Sequence, residues 1–414
     1  MEPTQTVCVV GLGYIGLPTA AILAANGNEV IGVDVNPRHV DEINAGRVPF
    51  IEPDLESVVA GVVAQGRLKA QAEVPHANSY IVAVPTPFTD DYDVDPKYVQ
   101  AAAEAIAPQL RGGELIILES TSPPGLTERM GEYILAARPD LTGAPNEHNS
   151  IYFAHCPERV LPGRIMIEIV DNDRIIGGVT EEAAERARHL YATFCKGQLL
   201  VTDARTAEMA KLVENSYRDV NIAFANELSV ISDRLGIDVW KLIELANHHP
   251  RVNILQPGPG VGGHCIAVDP WFIVAAAPEE AKLVRLAREV NDAKPDFVLE
   301  KVMAKAAKFR EPVIAALGIA FKADIDDLRE SPSKAIVERL SAEVEHAKLL
   351  VVEPNVEELP ASLADRPNVE LAEVREAVSR ADIVVVLVDH HEFKTLDREI
   401  LAEKIVVDTK GLWR

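Results

Sequence analysis

The sequence predicts an α/β protein with two doubly wound domains joined by a long central helix. Short runs of Val, Ile and Leu alternate with helix-like segments at the start of the chain, and the same alternation returns after Pro312. Between these regions, the residues from Ala204 to about Leu245 follow helical spacing, with no Gly or Pro before Gly236. Strands that alternate with helices indicate parallel sheets covered by helices on both faces.

The first domain is predicted to span residues 1–200. Helices are expected at Pro18–Asn26 and Pro96–Leu110. Apolar runs bounded by turn residues predict strands at Thr6–Val10, Glu29–Asp34, Tyr80–Val84, Glu114–Glu119, Ser150–Ala154, Arg174–Gly178 and Gln198–Thr202.

The remaining chain is predicted to form a central helical and catalytic-loop region, 201–305, and a smaller α/β domain, 306–414. His248–Pro270 is rich in Gly and Pro, and so irregular a loop in a compact enzyme is usually functional. A helix is expected at Pro278–Asn291, and strands at Val313–Leu317, Lys348–Val352, Ile383–Val388 and Lys404–Val407. The long helix is a natural dimer contact, and a buried spacer is the simpler interpretation of it.

Composition excludes several functional classes. The formal charge of −23 repels nucleic acid and anionic membranes. The four cysteines lie far apart without a C-x-x-C pair, so neither a metal site nor a disulfide framework is expected. Val7–Ala25 is apolar, but it lacks a basic flank and three glycines interrupt it, which favours a strand followed by a helix over a targeting signal. We therefore expect a soluble, cytoplasmic protein.

The first strand leads into the pattern Gly11-x-Gly13-x-x-Gly16, after which a helix begins. In this context the first glycine permits a tight turn, the second lets the backbone approach a pyrophosphate, and the third lets helix and strand pack closely. The helix N-terminus then offers amide hydrogens to the phosphates. These features predict a dinucleotide site in a Rossmann-like domain.

Asp34 ends the second strand about 20 residues beyond the motif, where an acidic side chain accepts hydrogen bonds from the adenosine ribose and repels a 2′-phosphate. This favours NAD over NADP, although the nearby Arg38 is able to meet a 2′-phosphate. Thr86 and Thr121 follow later strands and offer hydroxyl donors to the nicotinamide half. The purely structural interpretations are a helix-capping aspartate and two turn residues.

Cys265 follows Gly262, Gly263 and His264 in the long loop, and this setting favours a nucleophile over a buried small hydrophobe. Asp269 lies a few residues further on. Lys211 and Asn215 share one face of the long helix, where they are suited to donate hydrogen bonds to a developing oxyanion. On that helix alone, a solvated lysine beside a polar neighbour is the simpler interpretation.

Together these motifs resemble the UDP-glucose/GDP-mannose dehydrogenase family over essentially the whole chain. The resemblance implies a four-electron oxidation of the primary alcohol of a nucleotide sugar to a carboxylate by NAD, in a homodimer or larger assembly. The matching strings are VVGLGYIGLP, VDVN, VPTP, ESTSPPG, CPERVLPG, AEMAKLVENSYRDVNIAFANEL, GPGVGGHCIAVDP and FKADIDDLRESPS.

The resemblance also implies a role for each matching position. Cys265 is expected to be the nucleophile, Lys211 with Asn215 the proton-transfer and oxyanion group, and Glu158 and Asp269 the groups that orient water. Contacts with NAD are expected from Gly11, Gly13, Tyr14, Ile15, Gly16, Asp34, Arg38, Thr86 and Thr121. Contacts with the UDP-sugar are expected from Arg159, Val160, Lys211, Asn215, Arg218, His249, Arg251, Gly262, Lys322, Arg329 and Lys410, some of them from a dimer partner. Lys322 and Arg329 lie in an acidic loop, so plain salt bridges would also explain them.

Within the family, the loop Gly-Gly-His-Cys-Ile-Ala-Val-Asp resembles that of the members that oxidise UDP-N-acetyl-D-mannosamine. Val268 stands where the enzymes acting on UDP-glucose carry a lysine. UDP-glucose, UDP-N-acetylglucosamine and GDP-mannose remain alternative substrates. Two different functions also fit parts of the pattern: a two-electron hydroxy-acid dehydrogenase and a non-catalytic nucleotide-sugar-binding regulator. Cys265, Lys211 and Asp269 weigh against the regulator.

Overall fold

The computed structural model describes residues 5–89, 92–161, 163–263 and 266–413. The chain folds into two compact units, Met1–Glu214 and Asn215–Arg414. Among the residues described, no helix is both long and apolar enough to cross a membrane.

The first unit contains an eight-stranded sheet in the order β3-β2-β1-β4-β5-β6-β7-β8. All neighbours are parallel except β6 and β7, which pair antiparallel through Ala154 with Gly178 and His155 with Gly177. The expected doubly wound sheet is confirmed, and β7 and β8 run opposite to the other six strands. The strands are β1 Thr6–Val10, β2 Glu29–Val33, β3 Leu68–Gln71, β4 Ser79–Val82, β5 Leu115–Leu118, β6 Tyr152–His155, β7 Arg174–Gly178 and β8 Leu199–Asp203.

Helices of this unit are α1 Gly16–Ala25, α2 Pro37–Asn44, α3 Leu55–Ala64, α4 Lys97–Ile106, α5 Leu126–Ala137, α6 Ile165–Asp171 and α7 Glu181–Tyr191, with a 3₁₀ turn at Ala107–Gln109. Fully buried aliphatic residues of the sheet, such as Val7, Val9 and Ile81, form one core with the helices. Burial of such side chains is the main stabilising contribution in a domain of this kind.

Helix α8, Ala204–Leu235, crosses the division between the units. The expected continuation to Leu245 is wrong, because Gly236 takes a φ of 66° and ends the helix. Asp238 then caps a separate helix, α9 Val239–Asn247, by accepting hydrogen bonds from the Trp240 and Lys241 amides.

Two further helices follow the long loop, α10 Asp269–Ala276 and α11 Lys282–Ala306. The expected helix Pro278–Asn291 is therefore misplaced at both ends. Pro295 lies inside α11, where the sequence pattern favours a helix boundary, and packing holds the helix together across it.

The C-terminal part of the second unit is a five-stranded parallel sheet in the order β11-β10-β9-β12-β13. The short edge strands β3 and β11 escaped prediction, because each has only three or four residues and polar side chains interrupt their apolar pattern. The strands are β9 Val313–Leu317, β10 Lys348–Val352, β11 Val369–Leu371, β12 Ile383–Val386 and β13 Ile405–Asp408. The helices are α12 Pro332–Glu343, α13 Ala361–Ala364, α14 Val374–Arg380 and α15 His391–Lys394, with a 3₁₀ turn at Arg398–Leu401.

The two sheets share one local arrangement: a glycine with positive φ follows one strand, and an acidic residue after the next strand accepts hydrogen bonds from the amides beyond that glycine. After β1, Gly11 has a φ of 94°, and an acidic residue after β2, Asp34, accepts the Leu12 amide at 2.9 Å. After β9, Gly318 has a φ of 89°, and Glu353 after β10 accepts the Ile319 and Ala320 amides at 2.8 and 3.0 Å. Both domains are therefore Rossmann-like, as the sequence predicts.

Candidate active site

The glycine-rich turn has the shape that a dinucleotide requires. A Cβ atom at Gly16 would lie 1.8 Å from the Gly11 carbonyl oxygen, and one at Gly11 would lie 2.4 Å from the Ala83 carbonyl oxygen. A Cβ at Gly13 would meet nothing within 4 Å. Helix α1 begins at Gly16 without a side-chain cap. The Leu17 amide donates to the Gly13 carbonyl oxygen and Pro18 has no amide hydrogen, so the Gly16 amide is the donor that this first turn can offer to an anion. The turn thus fits the pyrophosphate of NAD.

Asp34 lies at the carboxyl end of β2 and is largely buried. Its two oxygens accept hydrogen bonds from the amides of Leu12, at 2.9 Å, and Asn36, at 2.8 Å. An ionised carboxylate has about four acceptor positions, so two remain for ribose hydroxyls. Arg38 extends into solvent, with its side chain 82% exposed, and pairs with Glu42 at 2.9 Å. The carboxylate therefore dominates this end of the site.

Thr86 and Thr121, both predicted to contact NAD, are joined by a hydrogen bond. The Thr86 hydroxyl donates to the Thr121 carbonyl oxygen at 2.7 Å, so this hydroxyl is left as an acceptor. Ser120 donates to the Val84 carbonyl oxygen at 2.7 Å and ties the same two segments together. Tyr14 stacks on Phe50 with ring centroids 4.2 Å apart and is half exposed.

Glu158 belongs to a buried charged cluster that the sequence did not reveal. Its Oε2 accepts from Arg174 at 2.7 Å, and its Oε1 accepts from the Arg159 amide at 2.7 Å. Arg174 also lies 3.6 Å from Glu119, which accepts hydrogen bonds from Thr19 and Tyr191. Burial, and then the charge of Glu158, raise the pKa of Glu119 to about 7, against the opposing effect of Arg174.

Of the predicted site residues, Lys211 lies in the first turns of α8, and Arg159 pairs with a residue of the same turns. Arg159 forms a paired contact with Glu214 at 2.6 and 3.0 Å. Because Glu214 is taken by Arg159, it does not neutralise Lys211 on the same helix. Within the described residues the Lys211 ammonium group has no hydrogen bond or ion pair. Val160 packs against the core of the first unit.

In the second unit, Asn215 donates from Nδ2 to Asp269 Oδ2 at 2.5 Å. Asp269 is buried and is the first residue of α10, where the helix N-terminus favours a negative charge. The Asn215 amide has a second hydrogen, which stays available for an oxyanion. The structure therefore brings together two residues to which the sequence assigned catalytic roles.

The loop that ends at Gly263 packs closely on the segment Phe321–Pro332. A Cβ at Gly262 would lie 2.4 Å from the Glu330 carbonyl oxygen, and Gly263 has a φ of 84° beside the Phe321 ring. Two stretches that the sequence assigned to the substrate thus meet within this unit. His264 and Cys265 lie outside the described residues.

The cations expected to bind the UDP-sugar differ in their surroundings. Arg329 pairs with Asp327 at 2.7 and 2.9 Å, so the plain salt bridge expected from its acidic loop is present. Lys410 lies 3.1 Å from Asp389 and, despite the burial of that carboxyl group, holds its pKa below the usual value. The others are exposed or half-buried: Arg218, His249, Arg251 and Lys322.

The three described thiols are poor nucleophiles or lie away from these residues. Burial raises the pKa of Cys8 and of Cys156 to about 12. Cys195 is half-buried and donates to the Asn172 carbonyl oxygen. No group of His, Cys, Asp or Glu side chains in the described ranges is arranged to hold a metal ion.

Glu208 is another buried polar residue that sequence reasoning missed, and it supports the segment after Thr121. Its fully buried carboxylate accepts from the Gly125 amide at 2.6 Å and from the Thr127 amide and hydroxyl at 2.8 and 2.6 Å. It thereby fixes the segment that follows Thr121 to α8. The only signal in the sequence was an acidic residue among the apolar positions of a helix, which is too common to single out.

Comparison with known proteins identifies the class of this chain. Three family models match in order: the NAD binding domain of the UDP-glucose/GDP-mannose dehydrogenase family over residues 5–195, its central domain over 205–293 and its UDP binding domain over 315–414. The chain belongs to this family of NAD-dependent nucleotide-sugar dehydrogenases.

Among curated relatives, the NDP-N-acetyl-D-galactosaminuronic acid dehydrogenase of Ralstonia nicotianae is 57% identical over 99% of this chain and 96% of its own. The UDP-N-acetyl-D-mannosamine dehydrogenase of Escherichia coli is 53% identical over 99% of both chains. Among solved structures, the UDP-N-acetyl-D-mannosamine dehydrogenase of Pyrococcus horikoshii superimposes with a TM-score of 0.86 at 39% identity, covering 99% of this chain and 96% of its own.

Proposed function

We propose that the protein oxidises C6 of UDP-N-acetyl-D-mannosamine to the carboxylate, with two NAD consumed per sugar and a covalent thioester on Cys265. The observation that carries the proposal is the hydrogen bond between Asn215 and Asp269, which joins the helix that bears Lys211 to the residues directly after the cysteine loop. We also propose the division into 1–200, 201–305 and 306–414, which the three family ranges support.

Residues of the first unit would hold the cofactor. The backbone around Gly13 and the uncapped start of α1 would bind the pyrophosphate, and Asp34 would accept the ribose hydroxyls. Tyr14, Ile15, Arg38, Thr86 and Thr121 would complete the contacts. NAD, when bound, supplies the acceptor for a hydride from C6.

Lys211 would act on the C6 oxygen. Because no carboxylate pairs with it among the described residues, this lysine as the neutral amine can accept the proton of the C6 hydroxyl, and the resulting ammonium group can stabilise the developing oxyanion. The free amide hydrogen of Asn215 would be the second donor. Removing one such donor typically costs about 10²–10³ in rate.

Cys265 would carry the second half of the reaction. Its thiolate adds to the aldehyde carbon and gives a tetrahedral thiohemiacetal, from which a second hydride leaves to form a thioester. Water then adds to the thioester carbonyl, and the C–S bond breaks to release the carboxylate and the thiol. The sum is one alcohol, one water and two NAD converted to one carboxylate, two NADH and three protons.

Two carboxylates are candidates to activate and orient the water, Asp269 and Glu158. Both oxygens of Glu158 already accept hydrogen bonds from protein groups, one of them a buried guanidinium. Asp269 lies four residues after Cys265 in the sequence and accepts a hydrogen bond from Asn215. We assign the general-base step to Asp269 and the orientation of water to Glu158. A general base contributes roughly 10²–10⁴ in rate.

A second candidate substrate is the N-acetyl-D-galactosamine nucleotide, which the relative from Ralstonia nicotianae favours by its name and its 57% identity. The two sugars differ in configuration at C2 and C4. Purified enzyme should be given UDP-N-acetyl-D-mannosamine, UDP-N-acetyl-D-galactosamine, UDP-N-acetyl-D-glucosamine, UDP-glucose and GDP-mannose separately. We expect the highest kcat/KM with the mannosamine nucleotide and two NADH per sugar. A higher value with another sugar would reject the substrate, and one NADH per sugar would reject the reaction.

The role of Cys265 has its own test. Cys265→Ala should bind NAD and the UDP-sugar normally yet form almost no uronate, and Cys265→Ser should be slow. Cys195→Ala is the matched control, since the Cys195 thiol donates to the Asn172 and Gly197 carbonyl oxygens at the edge of the first unit's core. Mass spectrometry of the wild type quenched with substrate should show an adduct on the Cys265 peptide. If Cys265→Ala formed uronate at near the wild-type rate, the thioester route would be wrong, and oxidation of an aldehyde hydrate would take its place.

We also propose that α8 forms the contact of a homodimer. Four apolar side chains on one face of the helix are exposed: Tyr217 by 71%, Phe224 by 51%, Ile231 by 45% and Leu235 by 65%. An apolar row of this length on a charged chain indicates a covering partner. Sedimentation should show a dimer that Phe224→Glu converts to monomer, and an active wild-type monomer would contradict the assignment.

A further inference from the structure

We propose that three buried side chains, Asp219, Asn291 and Asn226, form a directed hydrogen-bond relay that positions the substrate loop at Gly258. The relay deepens the proposed function, because the loop it holds leads to Gly262 and Cys265. Asn226 and Asn291 are in this view positioning residues, which act through the loop backbone and touch neither substrate nor cofactor.

The relay runs from α11 to the loop through five hydrogen bonds. Arg288 donates to Asp219 Oδ1 at 2.6 Å. Asn291 donates from Nδ2 to the same Asp219 Oδ1 at 2.8 Å and to the Asp219 carbonyl oxygen at 3.1 Å. Asn226 donates from Nδ2 to Asn291 Oδ1 at 2.9 Å, and the Gly258 amide donates to Asn226 Oδ1 at 2.9 Å. All four side chains are at least 99% buried, so water does not substitute for a lost partner.

Each member fixes the direction of the next. A carboxylate only accepts, so Asp219 obliges Asn291 to turn its NH₂ group inward. The Asn291 oxygen then faces Asn226, which donates a hydrogen bond to it from its own NH₂ group. The remaining Asn226 oxygen is thereby presented to the Gly258 amide. The guanidinium of Arg288 and the carboxylate of Asp219 thus decide which end of Asn226 the loop meets.

Close packing on α11 restricts the backbone of the loop around Gly258. Pro257, Gly258 and Pro259 are buried. A Cβ added at Gly260 would lie 3.1 Å from Pro295 Cγ and 2.7 Å from Pro332 Cβ. Since prolines 257 and 259 have no amide hydrogen, the Gly258 bond is the only backbone donor that this stretch can offer. Loss of the Asn226 side chain therefore removes the one backbone hydrogen bond that residues 257–259 can donate.

Hydrogen exchange tests the relay without substrate. In Asn226→Ala, the Gly258 amide should exchange about tenfold faster, the effect of one lost hydrogen bond. In a peptide that spans residues 255–261 the two prolines have no amide hydrogen, so Gly258 is one of four backbone amides that report, with Gln256, Gly260 and Val261. Asn368→Ala is the matched control, because Asn368 donates to the Ser341 and Ala347 carbonyl oxygens, away from the relay. Its Gly258 exchange should equal that of the wild type.

Kinetics give the second readout. With Asn226→Ala, the KM for the nucleotide sugar should rise about tenfold, while the KM for NAD stays unchanged. A variant that only loses stability would not separate the two constants in this way. If the wild type oxidises no nucleotide sugar, the proposed function fails, and the exchange rate at Gly258 still decides the relay.

A change at Asn226 tests the direction of the relay. Asn226→Asp still accepts from Gly258 but sets an oxygen against Asn291 Oδ1, so exchange at Gly258 should speed up. Asp219→Asn can keep an oxygen for both donors, because Arg288 and Asn291 share Oδ1 in the wild type, and its exchange at Gly258 should stay near the wild-type rate. Unchanged exchange in Asn226→Asp or in Asn226→Ala would overturn the proposal.

Discussion

Replacing Arg174 with methionine should unfold the region around Glu158 locally. The guanidinium lies 2.7 Å from Glu158 and 3.6 Å from Glu119, and its side chain is only 4% exposed. Methionine retains the packing against the Tyr191 and Phe194 rings, which lie 4.9 and 5.4 Å from the guanidinium carbon. The loss is therefore electrostatic, because two carboxylates remain buried without their cation. Removing one partner of such a pair costs about 3–5 kcal/mol.

Native-state hydrogen exchange of peptides from β5, β6 and β7 is the appropriate assay. All three tryptophans, Trp240, Trp271 and Trp413, lie in the second unit, so tryptophan fluorescence would miss a change in the first. The opening free energy of these strands should fall by about 3–5 kcal/mol in Arg174→Met.

Arg186→Met is the matched control for this experiment. Arg186 also pairs with a glutamate, Glu182, at 2.7 Å and lies over the Tyr152 ring, but its side chain is 40% exposed. Its replacement should leave the strands almost unchanged. If Arg174→Met and Arg186→Met exchanged alike, the buried cluster would contribute no net stabilisation and the reasoning would be refuted.

Three further changes have defined outcomes. The pKa of Glu119 is raised in the folded state, so its contribution to stability is complete below pH 4.5 and disappears as pH rises through about 7. In Glu119→Gln, the free energy of unfolding from urea titrations should therefore depend less on pH across that window. Gly13→Ala should fold normally but raise the KM for NAD, whereas Gly16→Ala should lower the melting temperature; equal stability of the two would contradict the geometry. Asp34→Ala should shift the kcat/KM ratio towards NADP by about tenfold or more, since charge-assisted hydrogen bonds to the ribose are lost, and an unchanged ratio would count against its role.

The sequence determined the architecture because periodicity and turn chemistry are local. Strands β1, β7, β9 and β10 begin and end where the apolar runs do. The glycine motif and Asp34 indicated the cofactor, since their spacing is set by one turn and one strand. The order of the family motifs indicated the reaction class.

Only the tertiary structure decided which polar groups meet. Asn215 and Asp269, or Asn226 and Gly258, are far apart in sequence, and no periodicity reports a hydrogen bond between them. In the sequence Arg174 is an ordinary strand residue, and its buried ion pairs become evident only in the structure, where β7 pairs antiparallel with β6. Propensity also failed at Pro295, because helix α11 continues through it under packing that a local pattern does not contain. The free energy of a buried polar contact depends on its partner and on the exclusion of water, and both are properties of the folded chain.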